Sequence, residues 1–96
     1  AKVIDLMWSA DGNSISLYPN PTQDVLHIEL YSIRVTNTVV KVLDMSGRVV
    51  KQVQARTEAG MNKLSLSLGE LSSGIYTIQV YENDHLSFVS KVKKTD

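Results

Sequence analysis

The sequence predicts an all-β domain, a small sandwich of about seven antiparallel strands at roughly 10-residue spacing. Three observations lead there. Apolar and polar residues alternate over strand-length runs, as where Leu26, Ile28 and Leu30 are interleaved with His27 and Glu29, the pattern of a half-buried strand. Two β-branched runs, 39–43 and 49–53, flank the hairpin connection Asp44-Met45-Ser46-Gly47-Arg48, in which Gly47 can supply a positive φ. Turn-forming clusters punctuate the chain at Tyr18-Pro19-Asn20-Pro21, at 44–48 and at Leu71-Ser72-Ser73-Gly74-Ile75-Tyr76.

Taken in order, residues 3–8 are short and mostly apolar and form a peripheral strand. Ser9, Ala10, Asp11, Gly12, Asn13 and Ser14 follow as a small, polar linker. Residues 1–14 are therefore expected to be an edge strand and linker, with the sandwich occupying 15–96. Residues 15–18 form a short strand ended by Pro19, and the two prolines fix their own φ and bias Tyr18 and Asn20 toward extended backbone. Residues 25–30 face Leu26, Ile28 and Leu30 inward, and the mixed stretch 31–38 is expected to be mostly loop or irregular edge. After the 39–53 hairpin, residues 57–60 turn the chain. Leu64, Leu66 and Leu68 then alternate with Lys63, Ser65 and Ser67, a spacing that a helix would scatter around its cylinder. Tyr76, Ile78 and Val80 face inward on the next strand, Asn83-Asp84 makes a polar hairpin tip, and residues 86–92 return with Lys91, Lys93 and Lys94 crowding the end.

Composition narrows the possible functions. A chain of 96 residues, 43% hydrophobic, suits one domain with one modest core. Ten basic and ten acidic residues cancel, so the broad attraction used in binding nucleic acid or anionic membranes is missing. The absence of cysteine excludes thiolate metal sites and cysteine nucleophiles. No apolar run approaches the roughly 20 residues of a membrane span, and no signal-peptide order opens the chain, so a soluble domain without direct membrane insertion is expected. A start at Ala1-Lys2, without Met, suggests a piece of a longer protein.

A search for chemistry finds little. His27 and His85 are the only histidines. A transition-metal site would need both of them plus a carboxylate, and on a polar strand face and a hairpin tip they are expected to be solvated. The serines lack a nucleophile elbow, and Gly69 and Gly74 precede no helix that could cradle a phosphate. Neither catalysis nor a cofactor or metal is expected. Trp8, Tyr18, Tyr31, Tyr76, Tyr81 and Phe88 could form a sugar-stacking platform, but Tyr76 and Phe88 are better placed in the core. Lysines on a terminal strand, here Lys91, Lys93 and Lys94, commonly guard a sheet edge against aggregation.

The stretch from Leu17 to Leu30, with Tyr18, Pro19, Asn20 and Pro21, resembles the opening motif of the C-terminal sorting domains of the type IX secretion system of Gram-negative bacteria. Asp44, Gly47 and Arg48 look like that family's central hairpin, Gly74 and Tyr76 like its Leu-x-x-Gly-x-Tyr element, and Lys91, Val92, Lys93 and Lys94 like its basic terminal strand. Thr95-Asp96 extends beyond the basic run, and Ser67 stands where the family often has an acidic residue. The resemblance implies a seven-stranded immunoglobulin-like sandwich at the end of a secreted cargo protein. The domain would guide folded cargo from the periplasm through the outer-membrane translocon, with recognition by Lys91, Val92, Lys93 and Lys94. In such proteins a surface sortase usually removes the domain, releasing the cargo or attaching it to the cell surface; the alternative is a domain that stays attached as a permanent docking module. The cut is expected in or just before Ser9, Ala10, Asp11, Gly12, Asn13 and Ser14, where a protease finds extended, unpaired backbone. The alternative is a structural or carbohydrate-binding sandwich appended to an extracellular enzyme.

Overall fold

The computed structural model describes residues 5–8, 13–19 and 21–95. They form eight strands: β1 (Asp5–Trp8), β2 (Ser14–Tyr18), β3 (Val25–Ser32), β4 (Thr36–Leu43), β5 (Val49–Thr57), β6 (Gly60–Ser67), β7 (Gly74–Glu82) and β8 (His85–Lys94). Two antiparallel sheets face each other, one ordered β1-β2-β3-β6 and the other β5-β4-β7-β8. The seven strands from β2 onward make an immunoglobulin-like sandwich, in which the chain changes sheet after β3, β5 and β6. β1 adds an outer strand to the first sheet, in register with β2 from Asp5↔Leu17 to Trp8↔Ser14.

Alternation fills the space between the sheets. The first sheet contributes Ile15, Leu17, Leu26, Ile28, Leu30 and Leu66, and the second Val40, Val42, Tyr76, Ile78, Val80, Phe88 and Val92, all buried. Each such aliphatic side chain contributes about 1.5–3 kcal/mol on burial, and this cysteine-free chain must rely on that core. Leu64, expected to share the inward face of β6, is only partly buried and packs at its margin.

The stretch expected to be loop from 31 to 38 is mostly strand: β3 runs on to Ser32 and β4 begins at Thr36. The signal was hidden because the inward residues at this end are hydroxylic. Ser32, Thr36, Thr38 and Thr57 are buried and paired: the Ser32 and Thr36 hydroxyls donate to the Arg34 carbonyl at 2.6 and 3.2 Å, Thr38 Oγ1 lies 3.1 Å from Thr57 Oγ1, and Thr57 Oγ1 donates to the Thr36 carbonyl at 3.1 Å. Buried hydroxyls are tolerated when paired in this way.

Asn13 and Ser14 require a second correction, because they do not belong to an unpaired linker. Ser14 opens β2 and pairs with Trp8 and Tyr31. Asn13 is buried; its Nδ2 donates to Glu82 Oε2 at 2.7 Å and its Oδ1 accepts from the Ile33 amide at 3.0 Å. The remaining linker residues, Ser9, Ala10, Asp11 and Gly12, lie outside the described residues, as does Asn20.

The connections obey local backbone chemistry. Asn83 and Asp84, with φ of 50° and 66°, form the two-residue turn between β7 and β8, the type whose twist matches the flanking strands. In the 44–48 connection the Gly47 amide donates to the Asp44 carbonyl at 3.0 Å and Gly47 has φ 86°. A β-branched side chain at positive φ is a steric outlier. Gly47→Val is therefore expected to destabilise the domain by about 1 kcal/mol or more, read as a lower denaturant midpoint, although no atom would meet its Cβ within 4 Å. An unchanged midpoint would show that the turn re-forms without the left-handed residue.

Candidate functional site

The strand registers bring the sequence motifs together. Tyr18 ends β2 opposite His27, Val25 opens β3 opposite Ser67, Leu43 ends β4 opposite Thr77, and Gly74 opens β7 opposite Lys94. The 18–25 turn, the 44–48 hairpin, the 68–74 turn and the end of β8 therefore all emerge at one end of the sandwich. Residues up to 76 positions apart, Tyr18 and Lys94 among them, belong to a single surface.

At the hairpin, the Asp44 carboxylate organises the turn. It accepts from the Ser46 hydroxyl at 2.6 Å, the Ser46 amide at 2.9 Å and the Arg48 amide at 3.1 Å, and pairs with the Arg48 guanidinium at 3.3 Å. The Ser46 hydroxyl and the Arg48 amide hold its carboxyl down from the ordinary 3.8 to about 2. A depressed carboxylate stabilises the turn above the unfolded pKa, and that contribution disappears as pH falls through about 2. A carboxyl-carbon NMR titration should place the Asp44 midpoint near 2, and Ser46→Ala should raise it. A midpoint at the ordinary carboxylate value in the native chain would contradict this network.

Gly74 and Tyr76 have a structural task. Tyr76 is buried near the start of β7, and its hydroxyl donates to the Ser72 carbonyl at 2.6 Å, tying the corner between β6 and β7. This is the tyrosine corner of immunoglobulin-like sandwiches. Tyr76→Phe should cost about 0.5–1.5 kcal/mol, the net worth of one such bond, measured by denaturant unfolding; no change would mean that the hydroxyl finds another acceptor. Beside the corner, Asp44, Met45, Ser46 and Arg48 face Ser73, Gly74, Ile75 and Tyr76 across an open cavity of about 370 Å³. The two central motifs thus line one cavity. Lys51 Nζ, 2.9 Å from Glu70 Oε1, links β5 to the same corner and holds the Glu70 carboxyl below its usual range.

The opening and closing motifs also meet. Tyr18, joined to Pro19 by a cis peptide, stacks on His27 with ring centroids 5.3 Å apart, and its hydroxyl is pushed up by its hydrogen bond to Glu29. Three residues beyond Pro19, Thr22 forms a parallel bridge with Lys94. A second cavity, about 450 Å³, is lined by Pro19, Pro21, Thr22, Gln23, Asp24, Val25, His27 and Thr95.

β8 is the outermost strand of its sheet. Lys91 and Lys93 are exposed on one face, whereas Val92 and Lys94 point inward and are buried. The set of three lysines is therefore split by strand alternation. Lys94 is 3% exposed and its Nζ donates to the Thr95 carbonyl at 2.9 Å, so it serves the packing of the terminus while its two neighbours carry the outward charge.

Among the described residues no group of three or more His, Cys, Asp or Glu could hold a metal ion, and His27 and His85 are exposed on different sheets. Among the described side chains the aromatic residues do not gather into a platform. Tyr76 and Phe88 are in the core, Tyr18 is stacked on His27, and Tyr81 lies under the Lys41 amine, 4.7 Å from its ring centroid.

Fold and site together describe an immunoglobulin-like module whose sequence motifs build one end of the sandwich and its last edge strand. Residues 16–94 match the family described as "Secretion system C-terminal sorting domain", and the chain belongs to that family, the type IX sorting domains its motifs resemble. Part of a solved protein has the same fold: the crystal structure of dimeric latent PorU from Porphyromonas gingivalis superposes with a TM-score of 0.76 at 19% identity, over 88% of this chain and 9% of that one. This chain thus spans about a tenth of that protein's length. No curated protein matches the sequence.

Proposed function

We propose that this domain is the address of a longer secreted protein, an interaction module with no catalysis of its own. It directs an already folded cargo from the periplasm of a Gram-negative bacterium through the outer-membrane type IX translocon to the cell surface. The observation that carries this reading is the convergence of all four family motifs on one end of the sandwich, beside an edge strand that presents Lys91 and Lys93. An edge strand offers backbone pairing, and exposed lysines add electrostatic complementarity to an acidic receptor.

The test is a folded reporter fused ahead of this chain in a type IX-secreting bacterium. Removing residues 90–96 alone would be ambiguous, because it takes away the fully buried Val92 together with the charges. The double change Lys91→Glu, Lys93→Glu keeps Val92 in place. It should leave active reporter in the periplasm, while Lys63→Ala on β6 should not. Normal surface levels of the doubly charge-reversed fusion would exclude the terminal lysines as the signal.

The same reading places removal by a surface sortase within Ser9, Ala10, Asp11 and Gly12, since Asn13 and Ser14 are held by the fold. The sorting domain proper then begins at β2, and β1 departs with the cargo. Mass analysis of the released fragment should find its new N-terminus before Ser14.

A further inference from the structure

Strand alternation gives the two sheets unlike outer faces. On the first, the outward charges cancel, with Glu29 beside Lys63, and hydroxylic Ser16 and Ser65 flank them. On the second, register sets Tyr81 between Val39 and Leu86, and Thr77 between Leu43 and Lys91. Five large apolar side chains on or bordering this second face are in solvent: Met45, Val49, Ile75, Leu86 and Val89, with Met45 83% exposed. Its cations are Lys41, Lys91 and Lys93, and no Asp or Glu occupies an outward position of β4, β7 or β8. Two carboxylates border it. Asp44 is bonded to Ser46 and Arg48 in its own turn, and Asp84 lies in the β7–β8 tip. A chain with ten bases and ten acids thus presents one positive, partly apolar sheet face.

That face has a groove beside the 44–48 hairpin. Leu43, Met45 and Ile75 form its apolar walls, Thr77, Gln79 and Lys91 its polar side, and it encloses about 320 Å³. This is room for one large side chain, and an exposed methionine adapts its shape to what enters. Lys41 stands further along β4, its amine 4.7 Å from the Tyr81 ring centroid.

We propose that the outer face of the second sheet docks an acidic protein partner, which seats one aliphatic or aromatic side chain in the groove and sets carboxylates against Lys41, Lys91 and Lys93. The inference rests on the reading of the domain as an address and deepens it, by putting the receptor's contact on a sheet face and giving that receptor a chemistry. Size and charge select the occupant. Four strands by six residues make a face of about 20 by 15 Å, well short of the roughly 800 Å² per partner of a stable complex, so the contact suits a transient hand-over. A second copy would bring the same lysines against themselves across a two-fold axis. An anionic membrane offers no side chain for the groove and finds no net charge to attract.

In the reporter fusion, Lys41→Glu should lower surface delivery at least tenfold and Met45→Ser at least threefold. Lys41→Arg should be delivered as the native chain is. The matching changes on the other sheet, Lys63→Glu and Met61→Ser, should stay within twofold. All five variants alter side chains outside the core, and an unchanged denaturant midpoint confirms that each folds. Native delivery of Lys41→Glu would overturn the proposal, even where Lys91→Glu, Lys93→Glu fails, since the charge read would then be confined to the strand edge. Failure of the native fusion itself would count against the address reading instead.

A titration of the 96-residue chain is independent of delivery. The probe is the capped peptide Glu-Glu-Leu-Glu-Glu at millimolar concentration, with its Gln-Gln-Leu-Gln-Gln analogue as control. The acidic peptide should shift the Leu43, Ile75 and Lys91 amide resonances and leave Glu29 and Lys63 in place, and Lys41→Glu should weaken it at least threefold. No shift, or equal shifts with the analogue, would overturn the proposal. So would the same shifts on concentrating the chain alone, which would identify a second copy, or tighter capture by phosphatidylglycerol vesicles, which would identify a lipid surface.

Discussion

Ile78→Ala is expected to lower the unfolding free energy by about 2–5 kcal/mol, the range for removing three carbons from a packed core position. Ile78 is 1% exposed on β7, which is flanked by β4 and β8, so the cavity would open in the middle of the second sheet with little room for collapse. A small domain has only about 5–15 kcal/mol in hand, and this one has no disulfide to fall back on. Equilibrium denaturation measures the loss. A shift below about 1 kcal/mol would mean that the two sheets are not packed at native density there.

Val92→Asp is expected to have an effect of similar size through a different mechanism, and one that reaches function. Val92 is fully buried between the exposed Lys91 and Lys93. A carboxylate at that position would have no partner, and an uncompensated buried charge costs about 3–5 kcal/mol. The least costly response is for the end of β8 to leave the sheet, taking with it the Thr22 contact and the tie between Gly74 and Lys94. Limited proteolysis should then cleave the C-terminus at neutral pH. Protection should return as pH falls, because burial raises a carboxyl's pKa and the protonated form tolerates the core. A reporter fusion carrying this change should fail to reach the surface, whereas Lys91→Gln should leave the fold intact. Unchanged proteolysis and midpoint in Val92→Asp would show that the terminal strand is not part of the core.

Much of this was legible in the sequence, and the reasons are physical. A period of two is imposed by the strand backbone itself, so Leu26, Ile28 and Leu30, or Tyr76, Ile78 and Val80, declare their inward face whatever they pack against. Gly47 and Asn83-Asp84 declare turns because few other residues accept their φ. The all-β class, the approximate strand count and the motif family follow from such local constraints. Where inward positions are filled by Ser32, Thr36 and Thr38, the same period carries no hydrophobic contrast, and the pattern of a strand is absent from the sequence although the strands form.

Tertiary structure decided the rest, because it concerns what lies across a gap in sequence. That Asn13 is fastened to Glu82, 69 residues away, turns the end of an expected linker into part of the fold. That Lys94 points inward follows from alternation on β8, but its burial depends on the turn that covers it. Sequence order places Pro21 and Lys94 at opposite ends of the chain; antiparallel pairing from β2 to β3 and from β7 to β8 returns both to one end of the sandwich. Short-range stereochemistry determined which strands and turns this protein has, and long-range pairing alone decided that its four motifs form one surface and that its terminal strand is held by its opening turn.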